Sequence, residues 1–197
     1  MSKNKLLIID NKFNETLNLF GNEKWTIVNF SSQDFSLKIN VKNNVTNIIN
    51  MIAIVQTNDT TYTIDYLVTD QQNKITINIF FIVLNQGKIN STIIIKNTST
   101  SKNNNIDMRA YGLILDNESK IIIKPIFNFL SNQIDAKHSV KIGTININEL
   151  NYLKTRGIKR STAELILIQS KINNILKYVE EKQKNKIMIK INEIIGK

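Results

Sequence analysis

The chain contains no cysteine. Disulfides, Cys-ligated zinc or iron–sulfur sites and thiol nucleophiles are therefore excluded within this polypeptide. A single histidine, His138, removes any two-histidine metal site. Six glycines and one proline are few for an architecture built on tight two-residue hairpins. Long hydrophobic runs are missing as well. The longest apolar stretches, such as Ile75 to Leu84, are interrupted by polar residues and fall short of the ~18 residues needed to span a bilayer. Near the N-terminus the apolar run covers only Leu6 to Ile9, too short for a signal-peptide core. A soluble, cytoplasmic protein is expected.

What remains is enough for a folded body. The 197 residues allow one domain of about 100–150 residues with a smaller appendage, and a 42% hydrophobic content supports a real core. Isoleucine, asparagine and lysine dominate. All three have A/T-rich codons, so the net charge of +10 implies an anionic partner only where it is clustered. Residues 1–149 carry 15 basic and 12 acidic side chains, whereas residues 150–197 carry 11 and 4. The excess lies in the C-terminal quarter.

From about residue 25 to 145 the hydrophobic period is two. Phe35, Leu37, Ile39 and Val41 alternate with polar residues, as do Tyr62, Ile64, Tyr66 and Val68, then Ile75, Ile77, Ile79, Phe81 and Val83. This pattern places alternate side chains on a buried face, and the β-branched content suits strands. About nine or ten short strands are expected, at a spacing compatible with a sandwich or a parallel β-solenoid. Asparagine, as in Asn43-Asn44 and Asn103-Asn104-Asn105, stands at the breaks, where it accepts left-handed turns. Pro125 is expected at a corner between strands.

After Ile145 the period becomes 3.6. Asn148 is expected to cap a short helix carrying Leu150 and Leu153 and ending at Gly157. Ser161-Thr162-Ala163-Glu164 reads as a capping box opening a second helix, with Leu165, Ile168, Ile172, Ile175, Leu176 and Val179 forming one stripe. A third amphipathic segment runs from about Asn185 to Ile195. The two parts divide as a β-body over residues 1–145 and a helical domain over 146–197.

Catalytic chemistry finds little support. Asp65 with Asp70, and Asp107 with Asp116, show no spacing of a paired-acid site and read as solvated turn acids. No glycine-rich loop precedes a helix, and a Ser–His–Asp triad would rest on His138 without a nucleophile elbow. Lys182, Lys184, Lys186 and Lys190 could track phosphates. Glu180, Glu181 and Glu193 interrupt them and only Tyr178 offers a stacking ring, which favours a solvated helix face over a nucleic-acid groove. A basic nucleic-acid-binding protein acting through residues 150–197 is the alternative functional class.

The sharpest motif lies between Pro125 and Ile158. It runs Pro125-Ile126-Phe127-Asn128-Phe129, then Ile134-Asp135-Ala136-Lys137-His138, Ile142-Gly143-Thr144-Ile145, and Leu150-Asn151-Tyr152-Leu153-Lys154-Thr155-Arg156-Gly157-Ile158. This resembles the C-terminal signature of the SufB/SufD family of iron–sulfur cluster assembly: Pro-x-Leu-x-Ile, a Val-x-Cys-x-His strand, Gly-x-Ile, and Tyr-Leu-x-x-Arg-Gly-Ile. Every spacing is kept without a gap. The resemblance covers roughly residues 105–180, and earlier residues share only isoleucine-rich strands.

The resemblance implies a right-handed parallel β-helix followed by a small C-terminal α-helical domain, tipping solenoid over sandwich. It also implies a non-enzymatic scaffold subunit that pairs through its β-helix with a SufB-like subunit or with itself, and that docks a SufC-type ABC ATPase through its C-terminal helices. Ala136 stands where the family strand carries cysteine, and Ser139 follows His138 where the SufB branch tends to have glutamate. The chain therefore looks SufD-like, and an N-terminally reduced version of the family, without its usual N-terminal helical region, is expected. No cofactor is expected to be held stably; a transient cluster at a subunit interface is implied instead. His138 aligns with the family histidine at that interface, with Asp135 as an orienting neighbour and the imidazole as a tentative iron ligand. Tyr152, Arg156, Gly157, Lys159 and Arg160 are expected to shape the helical turn or to meet the ATPase.

Overall fold

A computed structural model describes residues 2–42, 44–98 and 100–196. Eleven strands precede the helices: β1 (Lys3–Ile9), β2 (Phe13–Leu19), β3 (Glu23–Asn29), β4 (Phe35–Val41), β5 (Thr46–Gln56), β6 (Asp59–Val68), β7 (Lys74–Leu84), β8 (Lys88–Asn97), β9 (Asn104–Ile114), β10 (Lys120–Asn128) and β11 (Ile134–Gly143). Odd-numbered strands form a six-stranded sheet in the order β1-β3-β5-β7-β9-β11, and even-numbered strands form a five-stranded sheet in the order β10-β8-β6-β4-β2. All neighbours are parallel. The chain is a parallel β-solenoid with two strands per turn, as expected.

The in-register stacking turns the period-two pattern into interior columns. One column reads Lys5, Trp25, Ile49, Ile77, Met108, His138 from the first turn to the last. On the facing sheet another reads Glu15, Leu37, Ile64, Ile93, Pro125. The middle members are fully buried in one apolar cluster between the sheets, each burial contributing about 1.5–3 kcal/mol. Phe13, Phe35 and Tyr62 stack face to face at centroid distances of 5.2 Å. Tyr62 Oη accepts from Asn29 Nδ2 at 2.8 Å, and burial raises the Tyr62 and Tyr66 phenol pKa values.

The shortage of glycine is met by amides. Asn44, Gln72, Asn85, Gln86 and Asn103 adopt positive φ, as does Thr57; Asn43 lies outside the described residues. At one corner Asn73 and Asn104 stack, with Asn73 Nδ2 donating to Asn104 Oδ1 at 3.0 Å and Val45 N donating to Asn73 Oδ1 at 3.0 Å. Such side chains satisfy backbone donors that a hairpin would otherwise pair.

After β11 come α1 (Ile147–Thr155), α2 (Arg160–Ile175), a 3₁₀ turn (Leu176–Tyr178) and α3 (Glu181–Ile195). α2, the 3₁₀ turn and α3 pack on the outer face of the six-stranded sheet, and α1 packs on α2. Ile168, Ile172, Leu176, Ile187 and Ile191 meet Val28, Ile52, Ile54, Phe80, Ile82, Leu84 and Leu113 in a second buried cluster. This explains why β5 and β7 lose their alternation in their C-terminal halves, where Met51–Val55 and Ile79–Leu84 are buried throughout. A strand covered on both faces is apolar on both, whereas β6 and β8 alternate along their length. Asn50 Nδ2 donates to Ile175 O at 3.0 Å, tying the end of α2 to the sheet.

Several local expectations are corrected. Two strands precede residue 25, and their alternation is hidden because Lys5 and Glu15 occupy interior positions. Asn146, not Asn148, caps α1, its Oδ1 accepting from Asn148 N at 3.0 Å and its Nδ2 donating to Glu149 Oε1 at 3.1 Å. Ser161 does not cap α2; the helix begins at Arg160 with Lys159 at the N-cap and no side-chain cap, and Glu164 instead accepts from Arg160 Nε at 2.8 Å. Pro125 lies inside β10, paired with Ile93. Proline fits there because β10 is an edge strand, leaving the missing N–H on the unpaired side.

Candidate functional site at the open end of the solenoid

β10 and β11 end the two sheets on the same side of the molecule, and among the described residues no strand follows either. Their interior-facing residues continue the buried columns but have nothing stacked beyond them. On β11 these are Ile134, Ala136, His138, Val140 and Ile142, aligned with Asn104, Ile106, Met108, Ala110 and Gly112. Val140 and Ile142 are exposed, as are Leu130 in the preceding turn and Ile122 and Ile126 on β10. Exposed apolar side chains are more numerous here than at the opposite end, where Ile8 on β1 and Phe20 after β2 are exposed as well, and such a patch marks a surface built for contact.

His138 sits in the middle of this end. Its ring meets the Phe127 ring edge-on, with centroids 5.0 Å apart and planes at 79°. Phe127 is itself packed against the core, so the imidazole rests on an apolar floor with its other side outward. Asp135 is not brought to it. The two residues are an odd number of positions apart on one strand, which directs them to opposite faces. Asp135 instead accepts from Asn105 Nδ2 at 2.8 Å and lies 4.0 Å from Lys137 Nζ. Ala136 points inward and packs against the core cluster. Among the described residues no three His, Cys, Asp or Glu side chains gather in a way that could hold a metal ion. Among the inward-facing residues of β11, His138 carries the one metal-ligating side chain.

The helical turn is a separate constellation. Gly157 takes φ +83°, its N–H donating to Lys154 O at 2.9 Å while Ile158 N donates to Leu153 O at 3.2 Å. This pair of bonds closes a helix with a left-handed residue, a conformation that favours glycine. The Arg156 guanidinium lies over the Tyr152 ring, 5.4 Å from its centroid, and both side chains are exposed. Arg160, Ser161 and Glu164 line a cleft of about 690 Å³ between α2 and the loop after β9, where Asp116 faces them. Against the upward push of burial, hydrogen bonds from the Ser119 hydroxyl and the N–H groups of Ser119, Glu118 and Gln86 hold the Asp116 carboxyl below its ordinary value.

The lysines of the C-terminal quarter are partly engaged within the molecule. Lys190 pairs with Asp10 and lies 4.3 Å from the Phe30 ring centroid. Lys171 covers the Tyr111 ring and Lys177 the Tyr178 ring, both at 4.9 Å. No described helix is long and apolar enough to cross a membrane.

The exposed apolar residues around His138 were not singled out from the sequence. Their signal was present in β10, where Ile121–Ile123 and Ile126–Phe127 put apolar residues on both faces of a strand. Residues 24–171 match the family described as the SUF system FeS cluster assembly, SufBD core domain. The match starts well before residue 105, so the early strands carry family likeness that the motif alone did not reveal. Among curated proteins, none matches the chain.

Proposed function

Since this chain belongs to the SufB/SufD family of the SUF iron–sulfur cluster assembly system, we propose that it is a SufD-like, non-catalytic scaffold subunit whose open β-helix end pairs with a SufB-like subunit. The observation that carries this reading is the last turn. It offers an apolar, strand-edged surface around His138, and the sequence supplies no thiolate beside it. Cluster chemistry at such an interface needs cysteine ligands from elsewhere, so a Cys-bearing partner must contribute them. The cluster is cargo in this scheme, and His138 supplies one nitrogen ligand or proton carrier at the interface.

The helices provide the second contact. Tyr152 on α1 and Ile166 on α2 are exposed, and so are Lys159 and Arg160, which lie between them in sequence, so these helices offer both apolar anchors and cations. We assign this surface to a SufC-type ABC ATPase, in a cytoplasmic complex. Co-expression with such an ATPase and a SufB-like chain, followed by size-exclusion chromatography, tests the proposal. Co-elution of all three is expected, and a monomer that ignores both candidates would overturn it.

A further inference from the structure

The opposite end of the stack is not a copy of the one just described. Lys5 on β1 shares the interior column of Trp25, Ile49 and Ile77, and Glu15 on β2 shares that of Leu37, Ile64 and Ile93. Glu15 also stands between Phe13 and Leu17, which both pack on the core. Lys3 and Glu23, aligned with each other, occupy the same face. In the described strands from β4 through β11, interior column positions carry no Lys, Arg, Asp or Glu. The charged interior positions are thus gathered at one end.

Lys5 and Glu23 form a plug with Trp25. Lys5 Nζ lies 2.7 Å from Glu23 Oε1 and 4.9 Å from the Trp25 ring centroid, while Trp25 Nε1 donates to Glu23 Oε2 at 2.8 Å. Glu23 is largely buried, its side chain 13% exposed, and Lys5 retains 39%. Another β-helix turn laid on β1 and β2 would seal Lys5 and Glu15 inside an apolar stack. Stripping water from an ion without a full set of new partners is strongly unfavourable, and inward-pointing charge is a recognised guard on sheet edges.

We infer that the first turn is a stop: Lys5 and Glu15 bar a second β-helix from stacking there, so assembly runs through the last turn alone. The partner that fits the last turn is another β-helix end without inward charge. Because only one end of each chain is competent, the product is a closed pair and not an open head-to-tail array. This rests on the reading of the last turn as the pairing end.

The test compares the wild type with a Lys5→Leu/Glu15→Leu variant, each mixed with a SufB-like chain, by analytical ultracentrifugation across a concentration series, with circular dichroism to establish folding. The wild type is expected to stop at a pair, and the variant to build larger species that grow with concentration. Adding Val140→Asp at the other end should cut that growth back to a pair or less. Larger open species already present in the wild type, or a folded variant with an unchanged mass distribution, would overturn the stop. If the leucine variant fails to fold, Lys5→Met/Glu15→Gln is judged by the same outcomes. Val140→Asp in the wild-type background separates the two ideas: unimpaired pairing there would sink the last-turn reading and leave the behaviour of the first-turn variants to be judged separately.

Discussion

At one end of the stack the column through Trp25, Ile49, Ile77 and Met108 finishes on Lys5, and at the other on His138. The first is tied to Glu23 and an indole; the second rests on Phe127 beside exposed Val140 and Ile142. The backbone is the same at both ends, with a parallel edge strand on each sheet. What differs is whether the next turn would be welcome. In a repeating fold the middle turns are chemically interchangeable, so identity is written at the termini, where one residue per column decides between closure and contact.

The comparison can be broken in order of effect. Ile142→Asp should abolish pairing with a SufB-like partner, a loss of at least about 100-fold in affinity, because it places a charge on the inward-facing apolar side of the last strand. Gel filtration with the partner reads the loss, and thermal melting of the isolated chain should change little. In the shared middle of the columns, Ile77→Ala should cost about 2–5 kcal/mol of stability by urea unfolding. Removing Lys5 by Lys5→Met should cost no more than about 1 kcal/mol, since the partly exposed pair with Glu23 is screened by solvent. If the two substitutions cost the same, the first turn is core and not a cap.

His138→Ala is expected to leave the pair intact while lowering the yield of cluster assembled on the complex, measured by its visible absorbance. Equal yield would remove the histidine from the chemistry and leave only its packing on Phe127. The smallest effect concerns Asp116 in the loop before β10. Its carboxyl is held below the ordinary value, so the unfolded chain binds a proton more readily than the folded one. Its contribution is present above the ordinary aspartate range and fades as pH falls through the lowered value. Asp116→Asn should therefore destabilise slightly at neutral pH and flatten that part of the acid unfolding curve.

Much of the fold was legible in the sequence, for a stated reason. Where one face of a strand is buried and the other wet, alternation announces it, as in β4, β6 and β8. The first two strands escaped notice because charges at interior positions erase that alternation. Helix starts slipped for a related reason: capping depends on which side chain folds back, and Asn146 and Asn148 are equally able by type. The family strand and its histidine came from the resemblance to the family signature, whereas the grouping of Asp135 with His138 ignores strand parity. The exposed surface around His138 required knowing that β10 and β11 are last in their sheets, which no local pattern states.

The helices lying across the six-stranded sheet have a mechanical consequence. A solenoid whose turns touch only their neighbours melts inward from its ends. Here α2 and α3 contact residues from β3, β5, β7 and β9 at once, so they act as a splint that makes the central turns open together or not at all. α3 also reaches the first turn, through Lys190 on Asp10 and Leu6 against the helix cluster, so fraying is left to β2 at one end and to β10 and β11 at the other. Amide exchange should record fast rims around a slow, cooperative waist. The rim proposed to receive a partner is thereby kept loose without loosening the body that presents it.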